Sequence, residues 1–350
     1  MNITPPLDHR FTTPAAAPSA AARILALDFI KGALVLIMVL YHWLNYFISP
    51  QGYFYRYLSF LPPSFICITG FLIARVYLLR PRDQDAKTAH RLAVRGLKIL
   101  VIFIALNTAI GLLLRNSANG KGFAGLSSAA AFWSIYITGN MDGGRMVAFY
   151  VLVPISYLLI FSACLLATRH CHIFIFYAAA VLSIAAEFLL ILFQRGSSNL
   201  DLLSIGLLGI SIGALSLDKI TRLLRRPFIL VLAYLLYLAA ISLWEVYYPL
   251  QIVGVLLTLL LLFLLGSACR EDNSLARLLI LLGRYSLFGY IAQIAILQLM
   301  RKLLSVNLTL WELLASLLAA ALLTVFSVIV IDRARSKSPL VYRLYAAVFS

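Results

Sequence analysis

The first long apolar segment of the chain, residues 24–48, contains four polar side chains that could do chemistry. They are Asp28, Lys31, His42 and Asn45. On an ideal helix these residues lie within an arc of about 100°, so they form one polar stripe. Ionisable groups are costly at membrane depth, and they usually line a polar cavity or a functional site there. The spacing therefore predicts that one face of this helix lines a polar passage.

The stripe has two parts with different chemistry. Asp28 and Lys31 are three residues apart, so they can neutralise each other near one end of the helix. His42 lies about 16 Å farther along the axis, and no neighbour on its own helix would hold it charged. A neutral imidazole there can act as a general base or a nucleophile. Two other interpretations remain open: a purely structural ion pair, and a hydrogen bond from His42 to a facing helix.

Two later apolar segments contain polar side chains that could complete such a site. Glu187 is expected near the depth of His42, where its carboxylate could orient the imidazole. A plain hydrogen bond to a neighbouring helix is an alternative explanation for Glu187. Ser286, Tyr290 and Gln293 fall within about 60° of one another on an ideal helix, which predicts a second polar stripe able to hold substrate oxygen atoms.

The composition indicates which elements must position these side chains. Hydrophobic residues make up 63% of the 350 residues and charged residues 12%, against roughly 25% in ordinary globular proteins, which excludes a soluble domain. The predicted fold is an all-α, polytopic membrane helix bundle of about ten transmembrane helices, since each span needs about 20 residues. The ten apolar segments are 24–48, 61–79, 97–114, 146–167, 173–193, 200–217, 228–247, 249–267, 276–300 and 308–332.

The distribution of basic residues predicts the orientation of the bundle. With a cytoplasmic N-terminus, the cytoplasmic segments hold 19 of the 29 lysine and arginine residues and the outer loops hold 7. Because basic residues concentrate on the cytoplasmic side, both termini are predicted to be cytoplasmic. We expect a disordered cytoplasmic tail at 1–22, a ten-span membrane domain at 23–335 and a cytoplasmic C-terminal segment at 336–350. The same distribution accounts for the net charge of +16 without a nucleic-acid partner.

Several stretches of the chain resemble a known group of enzymes. Residues 23–42, RILALDFIKGALVLIMVLYH, contain Leu-Asp-x-x-Lys-Gly and a histidine eleven residues after the lysine. This pattern resembles the opening of the membrane acyltransferases that include acyltransferase family 3 and the heparan-glucosaminide N-acetyltransferase type. The segment around Gly70, and residues 282–293, LGRYSLFGYIAQ, resemble later parts of the same group. The chain departs from the pattern at Lys31, where most members have arginine, and at Gln293, where they have histidine.

The resemblance implies an integral membrane enzyme that transfers an acyl group, commonly acetyl, from cytoplasmic acyl-CoA to a hydroxyl or amine of a carbohydrate-like acceptor. Arg75 lies inside a predicted span and would bind the phosphates of the donor. No metal and no tightly bound cofactor is expected, since acyl-CoA is a substrate. The catalytic residues would be His42, Lys31, Asp28 and Glu187, and the substrate-binding residues would be Arg75, Asn45, Ser286, Tyr290 and Gln293.

The expected surroundings are the lipid bilayer of a cell membrane, in particular a bacterial cytoplasmic membrane, with acyl-CoA and a glycan or glycolipid acceptor as partners. Two other functions remain open at this point. A transporter or flippase for a polar or lipid-linked solute would also place an ionisable stripe in the membrane. A catalytically inactive relative would explain the departures at Lys31 and Gln293.

Overall fold

The computed structural model describes residues 25–49, 53–79, 85–113, 132–140, 149–168, 173–215, 224, 226–244, 247–269, 273–304 and 308–349. Within these ranges the regular secondary structure is helical and contains no strand. This confirms the all-α prediction. The predicted tail at 1–22 lies outside the described residues.

Every one of the ten apolar segments contains a helix, and two short helices lie outside them. A π-helical turn, Ala74–Leu78, extends α3, and another, Trp133–Thr138, follows α4. In chain order the helices are α1 (Leu25–Phe47), α2 (Tyr55–Leu58), α3 (Leu61–Ile73), α4 (Asp85–Leu113), α5 (Leu152–Ala167), α6 (Ile173–Leu192), α7 (Ser198–Gly213), α8 (Pro227–Leu243), α9 (Tyr248–Ala268), α10 (Ser274–Arg284), α11 (Ser286–Leu303), α12 (Leu310–Lys337) and α13 (Pro339–Phe349).

The lengths of these helices make the chain a multi-pass membrane protein. Six described segments are long and apolar enough to span a membrane, and α10 with α11 is a seventh if the bent pair counts as one span. The apolar helices α5, α7 and α8 are shorter, with 16, 16 and 17 residues. They are about 24 to 26 Å long, against a hydrocarbon core of about 30 Å. The count of ten spans therefore stays a prediction.

Helix α1, which contains the polar stripe, lies at the centre of the bundle. It packs against α3, α9, α10, α11 and α12. Its closest approach is to α10, because a Cβ on Gly32 would collide with the backbone of Leu279, and one on Gly283 would collide with the backbone of Asp28. Small residues at such crossings let two membrane helices pack backbone against backbone. The charged end of the stripe is therefore held against α10.

The packing of α3 against α7 also depends on glycine. A Cβ on Gly209 would lie 2.8 Å from the carbonyl carbon of Cys67. We expect Gly209→Val to lower the free energy of unfolding by about 2 kcal/mol or more, because neither backbone can move away without separating the helices. Thermal unfolding in detergent measures this loss. Gly196→Ala is the control, since its Cβ would meet only side-chain atoms at 3.2 and 3.3 Å; equal melting temperatures for the two variants would contradict the prediction.

The segment 276–300 is not the single helix that the sequence predicts. Helices α10 and α11 meet at an angle of 90° with Tyr285 between them. The Tyr285 hydroxyl donates a hydrogen bond to Asp332 Oδ1 at 2.7 Å and accepts one from Arg335 Nη1 at 3.0 Å. These contacts with α12 are tertiary, so the helical periodicity of the segment does not reveal the bend. Arg284, the last residue of α10 before the bend, is exposed.

Candidate active site

The imidazole of His42 faces protein rather than lipid. Its Nε2 atom is enclosed and has no hydrogen-bond partner among the residues that the structure describes. The ring lies 5.2 Å from that of Tyr41 in an edge-on arrangement and 6.1 Å from that of Tyr290, measured between centroids. Tyr290 lies on α11, so this contact brings one residue of the second polar stripe beside His42. Within the described residues, the Nε2 atom therefore has an unused capacity for one hydrogen bond.

Unpartnered polar atoms accumulate around the imidazole. Gln293, one turn beyond Tyr290 on α11, is completely buried, and neither its amide nitrogen nor its amide oxygen has a hydrogen-bond partner in the described part of the chain. Asn45 Oδ1, one turn beyond His42 on α1, is likewise buried and has no partner there. Native proteins leave few buried polar groups unsatisfied, because each costs about 1 to 3 kcal/mol. Such a concentration is typical of a site that binds polar groups of another molecule.

Aromatic rings surround this site, and sequence reasoning missed three of them. Tyr41 packs edge-on against Tyr55 with centroids 5.2 Å apart, and the buried Tyr55 hydroxyl has no partner. Phe149 packs edge-on against Tyr290 at 5.7 Å. Its φ of 61° lies in the left-handed region, which is unfavourable for a bulky residue and persists only where surrounding packing enforces it. Only the adjacency of Tyr41 to His42 could have indicated one of these rings.

Asp28 and Lys31 form the predicted ion pair. Lys31 Nζ lies 2.7 Å from Asp28 Oδ1, and the side chains are 5% and 19% exposed for Asp28 and Lys31. The distance along α1 to His42 is about 16 Å, because α1 continues without interruption. The pair is thus close to neutral overall and separate from the imidazole. This geometry fits the interpretation of a structural ion pair. A role for the pair in binding the donor stays a prediction.

Glu187 belongs to a different polar cluster. Its carboxylate accepts hydrogen bonds from the backbone nitrogen of Ser197 at 2.9 and 3.3 Å, in the turn between α6 and α7. Asn140 joins the same turn, donating to the Gly196 carbonyl at 2.6 Å. The carboxylate makes no hydrogen bond to His42 Nε2. Glu187 therefore orders the turn between α6 and α7 through these hydrogen bonds. A role for Glu187 in catalysis stays a prediction.

Arg75 and Ser286 are two further residues that the sequence assigns to substrate binding. Arg75 is in the π-helical turn after α3, where its Nη2 donates a hydrogen bond to the carbonyl of Leu215, while its Nε has no partner among the described residues. Its guanidinium lies 5.6 Å from the ring centroid of Phe71. Ser286 is the first residue of α11, one turn before Tyr290. Neither residue has a described contact with His42.

A cleft of about 220 Å³ opens beside the N-terminal end of α1. Leu25 and Phe29 line it from α1, with residues from the end of α9 and from α10. Its wall is largely apolar, and on α1 it occupies a different face from the polar stripe. The cleft is therefore distinct from the passage that the stripe predicts.

These features define a multi-pass helical membrane protein in which the imidazole of His42 packs beside two tyrosine rings and its Nε2 atom makes no hydrogen bond to the described residues. Comparison with protein families gives the class of chemistry. The family model for the acyltransferase domain of acyltransferase family 3 matches residues 24–333, nearly the whole chain. The chain therefore belongs to acyltransferase family 3 and is an acyltransferase. Neither the curated proteins nor the solved structures contain a match to it.

Proposed function

We propose that this acyltransferase moves an acyl group, in particular acetyl, from cytoplasmic acyl-CoA to a hydroxyl of a carbohydrate-like acceptor, with His42 as the general base. The observation that carries the proposal is the enclosed and unpartnered Nε2 of His42 beside Tyr290. An imidazole nitrogen that lacks a hydrogen bond can act as a general base when the hydroxyl of an acceptor comes within about 3 Å.

The proposed reaction uses the two substrates and side chains of the protein, with no further reactant. The acceptor O–H donates its proton to His42 Nε2 while its oxygen forms a bond to the thioester carbonyl carbon. The carbon–sulfur bond then breaks, the proton passes from Nε2 to the departing thiolate, and the products are an ester and free CoA. The negative charge that develops on the carbonyl oxygen needs hydrogen-bond donors. The amide nitrogen of Gln293 and the hydroxyl of Tyr290 are suitable donors.

The character of the surrounding groups supports a neutral acceptor. Gln293, Asn45, Tyr55 and Tyr290 offer uncharged donors and acceptors, which match sugar hydroxyls. An ammonium acceptor needs a carboxylate; those of Asp28 and Glu187 are engaged elsewhere in the described structure, and that of Asp201 on α7 has no described contact with His42. A hydroxyl acceptor is therefore favoured over an amine.

The donor and the membrane complete the proposal. The guanidinium of Arg75 could bind a phosphate of CoA, with Lys31 contributing charge from α1. The excess of basic residues on one side favours cytoplasmic termini, and therefore a donor that approaches from the cytoplasm. A bacterial cytoplasmic membrane is the setting proposed, with a glycan or glycolipid as acceptor.

The test of this function uses the full-length protein in lipid nanodiscs with labelled acetyl-CoA and a panel of neutral oligosaccharides. We expect release of CoA that depends on the acceptor and transfer of label to an alkali-labile ester. A transporter or flippase gives neither product, but moves a solute or lipid across liposomes in a manner that depends on His42. Transport that depends on His42, without acceptor-dependent release of CoA and without the ester, would contradict the acyl-transfer proposal and favour a transporter.

Replacement of Gln293 by leucine tests its role as a hydrogen-bond donor. We expect kcat to fall about 10- to 100-fold with little loss of stability, because Gln293 has no hydrogen bond within the described protein to lose. Gln298→Leu is the matched control on the same helix, since Gln298 instead donates to Tyr46 at 3.2 Å. Equal kcat values for the two variants would show that Gln293 has no part in the reaction.

A further inference from the structure

The bend between α10 and α11 is held by a cluster of side chains at the end of α12 and in α13. The guanidinium of Arg335 lies 5.2 Å from the ring centroid of Tyr285 and 4.2 Å from that of Tyr345. The Tyr285 and Tyr345 rings are themselves 5.4 Å apart and edge-on. Arg335 also donates to the Tyr285 hydroxyl, which in turn donates to Asp332. We name these four residues the elbow cluster.

Helix α13 contributes to this cluster through a buried face. Tyr345 is 9% exposed and packs beside Phe288, the third residue of α11, with centroids 6.5 Å apart. Phe349, one turn further along α13, stacks on Tyr345 at 4.8 Å and contacts Phe288 at 6.0 Å. Helix α13 therefore braces the first turn of α11 from the side. Tyr345 and Arg335 lie beyond residue 333, where the match to the family ends.

The elbow sets the direction in which α11 approaches His42. Helix α11 starts at Ser286, and Tyr290 lies five residues beyond Tyr285, about 7.5 Å along the axis. A tilt of α11 by about 10° at the elbow would move Tyr290 by about 1 Å and Gln293 by about 2 Å. Misplacement of a catalytic group by about 1 Å can cost about 100-fold in rate. The contact of Tyr290 with His42 at 6.1 Å therefore depends on the angle at Tyr285.

We propose that the elbow cluster, closed by Arg335 at the end of α12 and by Tyr345 on α13, positions α11 so that Tyr290 and Gln293 face His42. Tyr285, Arg335 and Tyr345 are positioning residues, which act on the reaction through α11 without touching the substrates. The inference rests on the proposed function of His42. It gives the C-terminal segment, through Tyr345, a role in positioning the groups around His42.

The test replaces Tyr345 by alanine, which removes the ring that contacts Arg335, Tyr285 and Phe288. We expect kcat to fall about 10- to 100-fold while KM for acyl-CoA changes less than about twofold, because the tilt displaces α11 and leaves the other helices in place. Tyr345→Phe should have the kcat of the wild type, since it keeps the ring that makes these contacts. Tyr157→Ala is the matched control, because Tyr157 is a partly buried tyrosine on α5, which has no substantial contact with the elbow helices.

Tyr285→Phe provides a second variant that keeps the ring and so the packing. It loses only the hydrogen bonds to Asp332 and from Arg335, and we expect kcat to fall about tenfold with a small fall in melting temperature. This variant decides the question if Tyr345→Ala does not fold. An unchanged kcat in Tyr285→Phe would then overturn the inference.

The remaining outcomes also separate the inference from the proposed function. An equal loss of kcat in Tyr345→Ala and Tyr157→Ala, or a failure of Tyr345→Phe to restore activity, would overturn the positioning role. If His42→Ala abolishes acyl transfer and Tyr345→Ala has wild-type kcat, only the positioning role fails. If His42→Ala retains activity, the proposed function fails, whatever the elbow variants show.

Discussion

His42→Ala is expected to lower kcat for acyl transfer by about 1000-fold or more, because it removes the group that takes the proton from the acceptor hydroxyl. The enclosed Nε2 makes no hydrogen bond to the described protein, so no such bond at that atom is lost. The variant should therefore be produced as folded protein in wild-type amounts. The measurement is acceptor-dependent release of CoA thiol by the protein in nanodiscs.

His90→Ala is the matched control for this experiment. His90 is exposed on α4, and the proposed site does not include it. Its replacement should leave kcat within about twofold of wild type, because exposed substitutions away from a site have small effects. Acyl transfer at the wild-type rate by His42→Ala would show that the base is another group. Loss of folded protein in His42→Ala alone would instead favour the interpretation of His42 as a packing residue.

Asp28→Ala is expected to lower the free energy of unfolding by about 3 kcal/mol or more. The carboxylate is the partner of Lys31 at 2.7 Å, and both side chains are largely enclosed by the bundle. Removal of one partner leaves an ammonium group in a site of low polarity, which costs about 3 to 5 kcal/mol for buried pairs. Thermal unfolding in detergent, followed by intrinsic fluorescence, measures the loss.

A double variant separates the structural and functional parts of this ion pair. Asp28→Leu with Lys31→Met removes both charges and keeps the side-chain volumes similar, so it should recover most of the stability lost in Asp28→Ala. If the double variant is stable but inactive, the charges serve the reaction. If it is stable and active, the pair is purely structural, and the predicted catalytic role of Asp28 and Lys31 is wrong. A wild-type melting temperature for Asp28→Ala would contradict the structural role.

Much of the fold could be predicted because membrane helices are encoded locally. A run of apolar residues about 20 long satisfies its own backbone hydrogen bonds, so each apolar segment predicts a helix without knowledge of its neighbours. The polar stripe on α1 could be predicted for the same reason, since Asp28, Lys31, His42 and Asn45 share one continuous helix. The ion pair between Asp28 and Lys31 is likewise a local contact.

The site was predicted only in part, because its other members come from distant segments. Tyr55 lies on a four-residue helix with no periodic pattern, and Phe149 lies between helices in an unfavourable backbone conformation. Glu187 was expected near His42 only because both residues lie at a similar depth in the membrane. That depth does not determine which helix the side chain of Glu187 contacts. Its carboxylate bonds to Ser197 because α6 packs against α7.

The amino-acid sequence by itself determined the helices of this protein, the charged and imidazole-bearing face of α1, and membership of acyltransferase family 3. The helices and the face of α1 depend on residues close together in the chain, and the family membership depends on the pattern over residues 24–333. Only the tertiary structure decided that α11 turns by 90° at Tyr285 and presents Tyr290 to His42. The physical reason is that the turn is stabilised by Asp332, Arg335 and Tyr345, about 50 residues away in the chain, whose contacts exist only once the helices have packed.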